Sequence, residues 1–314
     1  MAGGPSLRVA FLGNDAWSVP SLDALHGSRH EVVLVLTRTR RPARRGGEPV
    51  PTPVAGAARR LGLPLAEVET VVRGAGFERL AASRPDALAV VAYGEIVPSS
   101  VLEVPRLAPV NVHFSLLPEL RGASPVQTAL LHGKRTTGVT TIVMDEGLDT
   151  GPVLDRTEVR IRDDDDAGSL GERLAAVGGR LLVSTLDALA DGTARPTPQD
   201  DALATYAGKI AAEDRIVDWT ASATSIVNLV RALSPVPAAT TTFRGEPLKV
   251  LRAAVAANDG ADPGTIATAD GGGVVVATGE GAVRLLEVAP AGRKRMSGGS
   301  FVNGYRPEAG ERLE

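Results

Sequence analysis

Residues 87–92 are Ala-Leu-Ala-Val-Val-Ala, an unbroken apolar run with the length of one strand. A strand of this kind is buried on both faces, which is typical of a parallel sheet covered by helices. Similar short runs occur at Val9–Leu12, Val32–Leu36, Val110–His113 and Thr140–Met144. Helix-like segments separate them, so the first part of the chain is predicted to form a doubly wound, Rossmann-like α/β domain.

The pattern changes in the second part of the chain. Asp191–Leu203 is rich in Pro, Asp and Thr and is predicted to be a linker. After Tyr206 the spacing predicts one helix, at Ser222–Leu233, together with short strands separated by turn glycines. The strands are predicted at Thr240–Phe243, Leu248–Ala253, Gly264–Thr268, Val274–Ala277 and Val283–Val288. We therefore expect a domain at residues 1–203 and a small antiparallel barrel, similar to the oligonucleotide-binding (OB) fold, at 204–314.

Composition excludes several classes of function. The 314 residues include 34 Lys and Arg against 37 Asp and Glu, so bulk charge cannot bind a polyanion, although local basic patches can. Cysteine is absent, which excludes disulfides, Cys-based zinc sites and a Cys nucleophile. No charged segment followed by a long apolar run occurs near the N-terminus. We expect no signal peptide, no membrane partner and a cytoplasmic protein.

The first strand-to-helix turn carries little information about function. A dinucleotide site requires G-x-G-x-x-G after the first strand, whereas residues 13–18 are Gly-Asn-Asp-Ala-Trp-Ser, with one glycine. The P-loop pattern G-x-x-x-x-G-K-[ST] is also absent from the sequence. We interpret Gly13 as a residue of a tight turn.

The candidate chemistry begins at the end of the fourth predicted strand. Residues two apart in a strand project from the same face, so Asn111 and His113 are expected to lie together. They supply an amide donor and a group that titrates near neutral pH. A satisfied polar pair at a strand end would produce the same pattern. The loop after the fifth predicted strand carries Asp145, Glu146 and Asp149, any of which could orient His113 or simply face solvent.

The surrounding sequence carries a more specific pattern. Residues 111–125 follow N-V-H-x-S-L-L-P-x-x-R-G-A-x-P, and residues 138–151 follow G-V-T-x-x-x-M-D-x-G-L-D-T-G. Residues 92–98 follow A-Y-G-x-I-x-P, and further matches extend from residue 204 to residue 296. In this order and spacing, the chain resembles the folate-dependent formyltransferases over nearly its whole length.

The resemblance implies a reaction and its residues. Members of the family transfer a formyl group from 10-formyltetrahydrofolate to an amine, and no metal is required. The residues that match the catalytic trio are Asn111, His113 and Asp149, as oxyanion donor, general base and orienting carboxylate. The residues that match the folate site are Ser115, Leu116, Leu117 and Pro118, with Tyr93, Gly94 and Ile96 at the pterin pocket.

The amine implied by the closest resemblance is the α-amino group of methionyl-initiator-tRNA. Members that act on this tRNA contact its acceptor end with an inserted loop, whose R-P-A-x-R-G pattern matches residues 41–46. The implied tRNA contacts are therefore Arg41, Arg44 and Arg45. A second basic cluster, at Arg293, Lys294 and Arg295, lies in the predicted barrel. We expect a monomer with no DNA partner.

Two alternatives remain. The first is a formyltransferase that acts on an amino sugar or another small amine with the same trio, and the second is a non-catalytic α/β protein that binds folate or RNA. The arginine-rich loop and the long C-terminal domain favour tRNA. The sequence departs from the family at Val236 and Ala239, where aromatic residues are more usual.

Overall fold

A computed structural model describes residues 4–39, 50–257 and 260–314. The chain divides into two compact units. The first comprises Met1–Pro125, Thr136–Arg160 and Gly171–Ala207, and the second comprises Val126–Arg135, Ile161–Leu170 and Gly208–Glu314. The domain boundary between residues 203 and 204 stays a prediction.

The first unit is built on a seven-stranded sheet. Its strands, with one short additional pair, are β1 (Arg8–Gly13), β2 (Glu31–Arg38), β3 (Leu65–Val68), β4 (Ala87–Val91), β5 (Ala108–His113), β6 (Arg121–Gly122), β7 (Thr136–Val143), β8 (Val153–Arg160) and β9 (Tyr206–Ala207). The sheet order is β3-β2-β1-β4-β5-β7-β8, and β6 pairs with β9 separately. The predicted doubly wound α/β domain is confirmed.

The sheet is mixed, in contrast to the parallel sheet predicted from the sequence. Strands β1 to β5 are parallel neighbours, but β7 pairs antiparallel with β5, and β8 pairs antiparallel with β7. The apolar content of a strand indicates that it is buried, but it does not indicate whether the strand runs parallel or antiparallel to its neighbours. Strand β8 was missed because most of its residues are exposed, so it has no apolar run.

The helices in the same part of the chain are α1 (Val19–His26), α2 (Pro53–Leu61), α3 (Ala75–Ser83), α4 (Ser99–Leu102), α5 (Pro125–Leu131) and α6 (Ala167–Ala190). Helix α6 packs closely on β5 because Gly178 has no side chain: a Cβ there would lie 2.9 Å from Cγ1 of Val112. Val112 thus faces α6. Because side chains alternate along a strand, Asn111 and His113 face the other side of the sheet.

The second unit is an antiparallel barrel, as predicted. Its main elements are α7 (Ala223–Leu233), β10 (Ala239–Phe243), β11 (Glu246–Ala256), β12 (Ile266–Asp270), β13 (Gly273–Ala277), β14 (Ala282–Pro290), β15 (Met296–Ser297) and α8 (Gly298–Tyr305). The strand order is β10-β11-β14-β13-β12, with β15 beside β14. Phe301 of α8 packs against Phe243 and Tyr305 in the core, at ring-centroid distances of 5.5 and 4.8 Å.

Residues 311–314 connect the two edges of this sheet. Leu313 bridges to Phe243 of β10, and Arg312 bridges to Thr265, the residue before β12. Thr242 N donates to the Glu314 carbonyl at 2.7 Å, and Ile266 N donates to the Glu311 carbonyl at 2.7 Å. The segment therefore closes the sheet into a barrel by pairing with both of its edges.

The two departures from the family pattern lie in different environments. Val236 is exposed and Ala239 is buried at the start of β10. Within the described ranges, no helix has the length and apolar character needed to cross a membrane.

Buried His30 predicts a pH-dependent stability of the fold. Its Nδ1 accepts a hydrogen bond from Leu7 N at 3.1 Å, and its Nε2 lies 3.4 Å from Oδ1 of Asp187. Burial lowers the pKa of His30 below its usual value, and this outweighs the opposing effect of Asp187. Below a pH of about 6.5 the unfolded chain takes up a proton that the folded chain excludes, so stability falls as pH falls.

We expect His30→Asn to reduce this acid-side slope of the unfolding free energy by up to about 1.4 kcal/mol per pH unit. Urea melts between pH 5 and 8 measure it. His26→Asn, at an exposed position, is the matched control and keeps the wild-type slope. Equal slopes in wild type and His30→Asn would contradict the prediction.

Candidate active site

Asn111 and His113 lie near the carboxyl end of β5, and Asp149 reaches them from the loop between β7 and β8. If β7 ran parallel to β5, as the sequence predicted, that loop would start at the same edge of the sheet as the carboxyl end of β5. Because β7 runs antiparallel to β5, the loop instead starts beside the amino end of β5, where Met144 N donates to the Pro109 carbonyl at 2.8 Å. It then folds back over the face that carries Asn111 and His113.

The three predicted side chains come together. Oδ1 of Asp149 accepts a hydrogen bond from Nδ2 of Asn111 at 3.1 Å. Oδ2 of Asp149 lies 3.5 Å from Nδ1 of His113 and accepts a hydrogen bond from Gly122 N at 2.9 Å. The side chains of His113 and Asp149 are only 6% and 14% exposed, so these interactions are shielded from bulk water.

The orientation of His113 follows from its second contact. Nε2 lies 2.9 Å from the carbonyl oxygen of Leu120. Since a carbonyl can only accept, Nε2 carries the proton, and the lone pair of the neutral ring is at Nδ1. A proton taken up at Nδ1 would face the Asp149 carboxylate. The arrangement can therefore accept a proton from a bound amine and hold the resulting positive charge next to a negative one.

The other two acids of the loop have different partners. Oδ1 of Asp145 accepts from Gly147 N at 3.1 Å and from Oγ1 of Thr150 at 2.7 Å, which stabilises the turn itself. Glu146 accepts a hydrogen bond from Ser99 at the start of α4. Of the three acids, Asp149 is the one that meets both Asn111 and His113.

The residues that hold Asp149 in place are not evident from the sequence. Asp149 has a φ of +56°, a left-handed conformation that is uncommon outside glycine. Nε2 of Gln199 donates to the carbonyls of Asp149 and Gly151, at 2.8 and 2.7 Å. Arg121, which is 2% exposed, donates to Oε1 of Gln199. Gln199 lies in the segment predicted to be a linker, and nothing in the local pattern singles it out.

The residues predicted for the folate pocket have different environments. In the loop after β4, Tyr93 is buried in the core, whereas Ile96 is 85% exposed. Burial, reinforced by Glu95, raises the pKa of Tyr93, so its hydroxyl stays protonated at neutral pH. Gly94 has a φ of +73° with open space where a Cβ would lie. Of these three residues, Ile96 and the backbone of Gly94 are exposed and available to a ligand.

The loop after β5 is held by hydrogen bonds to its own backbone and to β7. Oγ of Ser115 donates to the Glu119 carbonyl at 2.5 Å, and Leu117 N donates to Oγ1 of Thr140 at 3.1 Å. Leu117 is fully buried, and Leu116 and Pro118 are partly exposed. The loop therefore offers a fixed backbone and two apolar side chains at its surface.

The predicted tRNA contacts fall into two groups. Arg41, Arg44 and Arg45 lie outside the described residues. Arg293, Lys294 and Arg295 are exposed in the turn between β14 and β15. Nε of Arg295 lies 3.4 Å from Oε1 of Glu287. We call these three residues the barrel basic turn.

Known proteins resemble the chain throughout its length. Residues 7–186 match the family model described as formyl transferase, and residues 209–306 match the one described as formyl transferase, C-terminal domain. A methionyl-tRNA formyltransferase from Roseiflexus sp. (strain RS-1) is 45% identical over 311 residues, covering 98% of this chain and 95% of the relative. One from Solibacter usitatus (strain Ellin6076) is 43% identical over 308 residues, covering 98% of each.

Two solved structures share the fold at low identity. HypX from Aquifex aeolicus, in complex with tetrahydrofolic acid, has a TM-score of 0.67 at 19% identity. The match covers 98% of this chain and 49% of HypX, so this chain spans about half the length of HypX. WlaRD, a sugar 3N-formyl transferase, has a TM-score of 0.62 at 14% identity, over 93% of this chain and 100% of WlaRD. With both family models matched and relatives similar over nearly the full length, this chain belongs to the formyl transferase family.

Proposed function

We propose that this chain transfers the formyl group of 10-formyltetrahydrofolate to the α-amino group of methionyl-initiator-tRNA, giving N-formylmethionyl-tRNA for translation initiation. The observation that carries this is the 45% identity to a methionyl-tRNA formyltransferase over 98% of the chain. The amino-sugar alternative has weaker support, because the sugar formyltransferase with the same fold is 14% identical.

The site residues have the donors and acceptors that this reaction needs. The attacking amine forms a bond to the formyl carbon, and negative charge develops on the formyl oxygen. The Asn111 amide has two N–H groups; one is bonded to Asp149, which leaves the other to donate to that oxygen. A free α-amino group has a pKa of about 8, so an appreciable fraction is already neutral at physiological pH.

The proton then passes through His113. Nδ1 of His113 accepts the proton that the attacking nitrogen loses, and Asp149, 3.5 Å away, stabilises the imidazolium. When the tetrahedral intermediate collapses, the bond between the formyl carbon and folate N10 breaks. The imidazolium returns its proton to N10, so tetrahydrofolate leaves as a neutral amine and His113 is ready for another cycle.

The folate co-substrate is proposed to bind against the loops that follow β4 and β5. Ile96, Leu116 and Pro118 would supply apolar contacts, and the backbone at Gly94 would supply polar ones. Tyr93, Ser115 and Leu117 would support these loops from inside, since all three are buried.

The acceptor is proposed to be bound by Arg41, Arg44 and Arg45 and by the barrel basic turn. We further propose that the protein works as a monomer in the cytoplasm, with no membrane or DNA partner. The larger domain, at 1–203, would then carry the chemistry, and the barrel at 204–314 would contact tRNA.

A formyl-transfer assay tests the proposed function. The purified chain is incubated with 10-formyltetrahydrofolate and either methionyl-initiator-tRNA or a nucleotide-linked amino sugar. Formylmethionyl-tRNA as the product supports the proposal. A formylated sugar with no formylated tRNA would overturn it in favour of the alternative.

Replacing Arg293, Lys294 and Arg295 together with alanine is expected to weaken tRNA binding. A plot of log affinity against log salt concentration has a negative slope. Each phosphate contact that is lost makes this slope less steep by about 0.7–0.9. Filter binding at several salt concentrations measures this slope. Glu287→Gln, which removes the carboxylate beside Arg295, should act in the opposite direction. An unchanged affinity and salt slope in the triple variant would exclude the barrel basic turn from the tRNA interface.

A further inference from the structure

We propose that Gln199 is a positioning residue of the reaction. Its side chain fixes the stretch of backbone from which Asp149 reaches Asn111 and His113. This inference rests on the proposed function and adds a residue outside the three that would contact the reacting groups.

The Gln199 side chain uses its complete hydrogen-bonding capacity. Nε2 donates both protons, to the Asp149 carbonyl at 2.8 Å and the Gly151 carbonyl at 2.7 Å. Oε1 accepts from Nε and Nη2 of Arg121, at 3.1 and 2.9 Å. A guanidinium only donates and a carbonyl only accepts, so these partners permit one orientation of the amide. A glutamine side chain is suited to this position because it both donates twice and accepts twice.

The two carbonyls belong to the most constrained part of the loop. Asp149 is held at a φ of +56°, which a non-glycine residue maintains only where its surroundings require it. Gly151 packs directly against the Val143 carbonyl, where a Cβ would collide. By holding the carbonyls of residues 149 and 151 together, Gln199 fixes the backbone on both sides of Thr150.

Arg121 connects the other side of Gln199 to the same carboxylate. The residue that follows it, Gly122, donates its N–H to Oδ2 of Asp149 at 2.9 Å. Gln199 therefore joins the strand that supplies this donor to the loop that supplies the carboxylate. The hydrogen bonds between Thr197 and Val153, both 2.8 Å, hold the backbone two residues before Gln199 against the start of β8.

Removing the two donors of Gln199 should displace the Asp149 carboxylate without removing it. A catalytic group misplaced by about 1 Å can lose on the order of 10² in rate. We expect Gln199→Glu to lower kcat by about 30- to 100-fold on this basis. The KM values for tRNA and folate should change little, because Gln199 would contact neither. Gln199→Glu retains the side-chain length and the acceptors for Arg121, so the protein should fold.

Asp201→Asn provides the matched control. Asp201 is the second partner of Arg121, at 2.8 Å from Nη2, but its side chain is 84% exposed and it makes no contact with the loop in the hydrogen bonds of the described residues. Asparagine keeps a side-chain oxygen that can accept from Arg121, so the fold should be retained. The variant should keep the wild-type kcat.

A double-mutant cycle separates positioning from a general structural role. If Gln199 acts through Asp149, adding Gln199→Glu to Asp149→Asn should lower kcat little further, whereas independent effects would multiply. Three results would each overturn the positioning role: effects that multiply in the double mutant, a wild-type kcat in Gln199→Glu, or a Gln199→Glu chain that does not fold. Failure of the wild type to form formylmethionyl-tRNA would instead refute the proposed function.

Discussion

His113→Ala is expected to lower kcat for formyl transfer by about 10³- to 10⁴-fold, the upper range for loss of a general acid–base group. Nδ1 of His113, which faces Asp149, is the proton-accepting atom of the proposed mechanism, and alanine leaves no replacement within the trio. Single-turnover rates with both substrates saturating measure the effect on the chemical step. Substrate affinities should stay close to those of the wild type.

His132→Ala is the matched control, because His132 is exposed and outside the site. It should retain the wild-type rate. A His113→Ala rate within about ten-fold of wild type would mean that solvent can accept the proton, since general acid–base groups contribute at least about 10². In that case His113 would not be the base.

Asn111→Ala is expected to lower kcat by about 10²- to 10³-fold, as for loss of one oxyanion donor. The variant removes both the N–H that is proposed to donate to the developing oxyanion and the contact with Oδ1 of Asp149 at 3.1 Å. Steady-state kinetics with methionyl-initiator-tRNA measure kcat and KM separately. A raised KM with an unchanged kcat would show that Asn111 only binds substrate in its ground state.

A second variant, Asn111→Asp, tests the same role of Asn111 as a hydrogen-bond donor. It keeps the size of the side chain but replaces the donor with a second carboxylate next to Asp149. Repulsion between the two carboxylates and from the developing oxyanion should make it at least as slow as Asn111→Ala.

The sequence predicted the part of the site that depends on local geometry. Asn111 and His113 share a face because strand residues alternate, and this holds wherever the strand lies in a sheet. The short apolar runs that define β1 and β4 indicate burial on both faces, so the α/β class could also be predicted.

The remaining features depend on contacts between distant residues. The choice of Asp149 over Asp145 and Glu146 follows from the path of a loop that starts at the other end of β5. Gln199 lies in a segment that has the composition of a solvated linker. Its role depends on the pairing of Thr197 with Val153. Neither feature leaves a periodic signal in the sequence.

The barrel, too, could be predicted only in part from the sequence. Its strands could be predicted from turn glycines and short apolar runs. Helix α8 could not, because Gly298 and Gly299 lower its intrinsic helix propensity and its stability comes from Phe301 in the core.

The pairing of residues 311–314 with both edges of the sheet has a consequence for synthesis of the chain. Until these residues leave the ribosome, β10 and β12 both expose edges with unpaired N–H and C=O groups, which can pair with other chains. Closure joins residues about 70 positions apart, as in the contact from Thr242 to Glu314, and such distant pairings form slowly. The barrel is thus exposed to aggregation and domain swapping until this pairing forms, and substitutions that weaken it are expected to reduce yield before they affect chemistry.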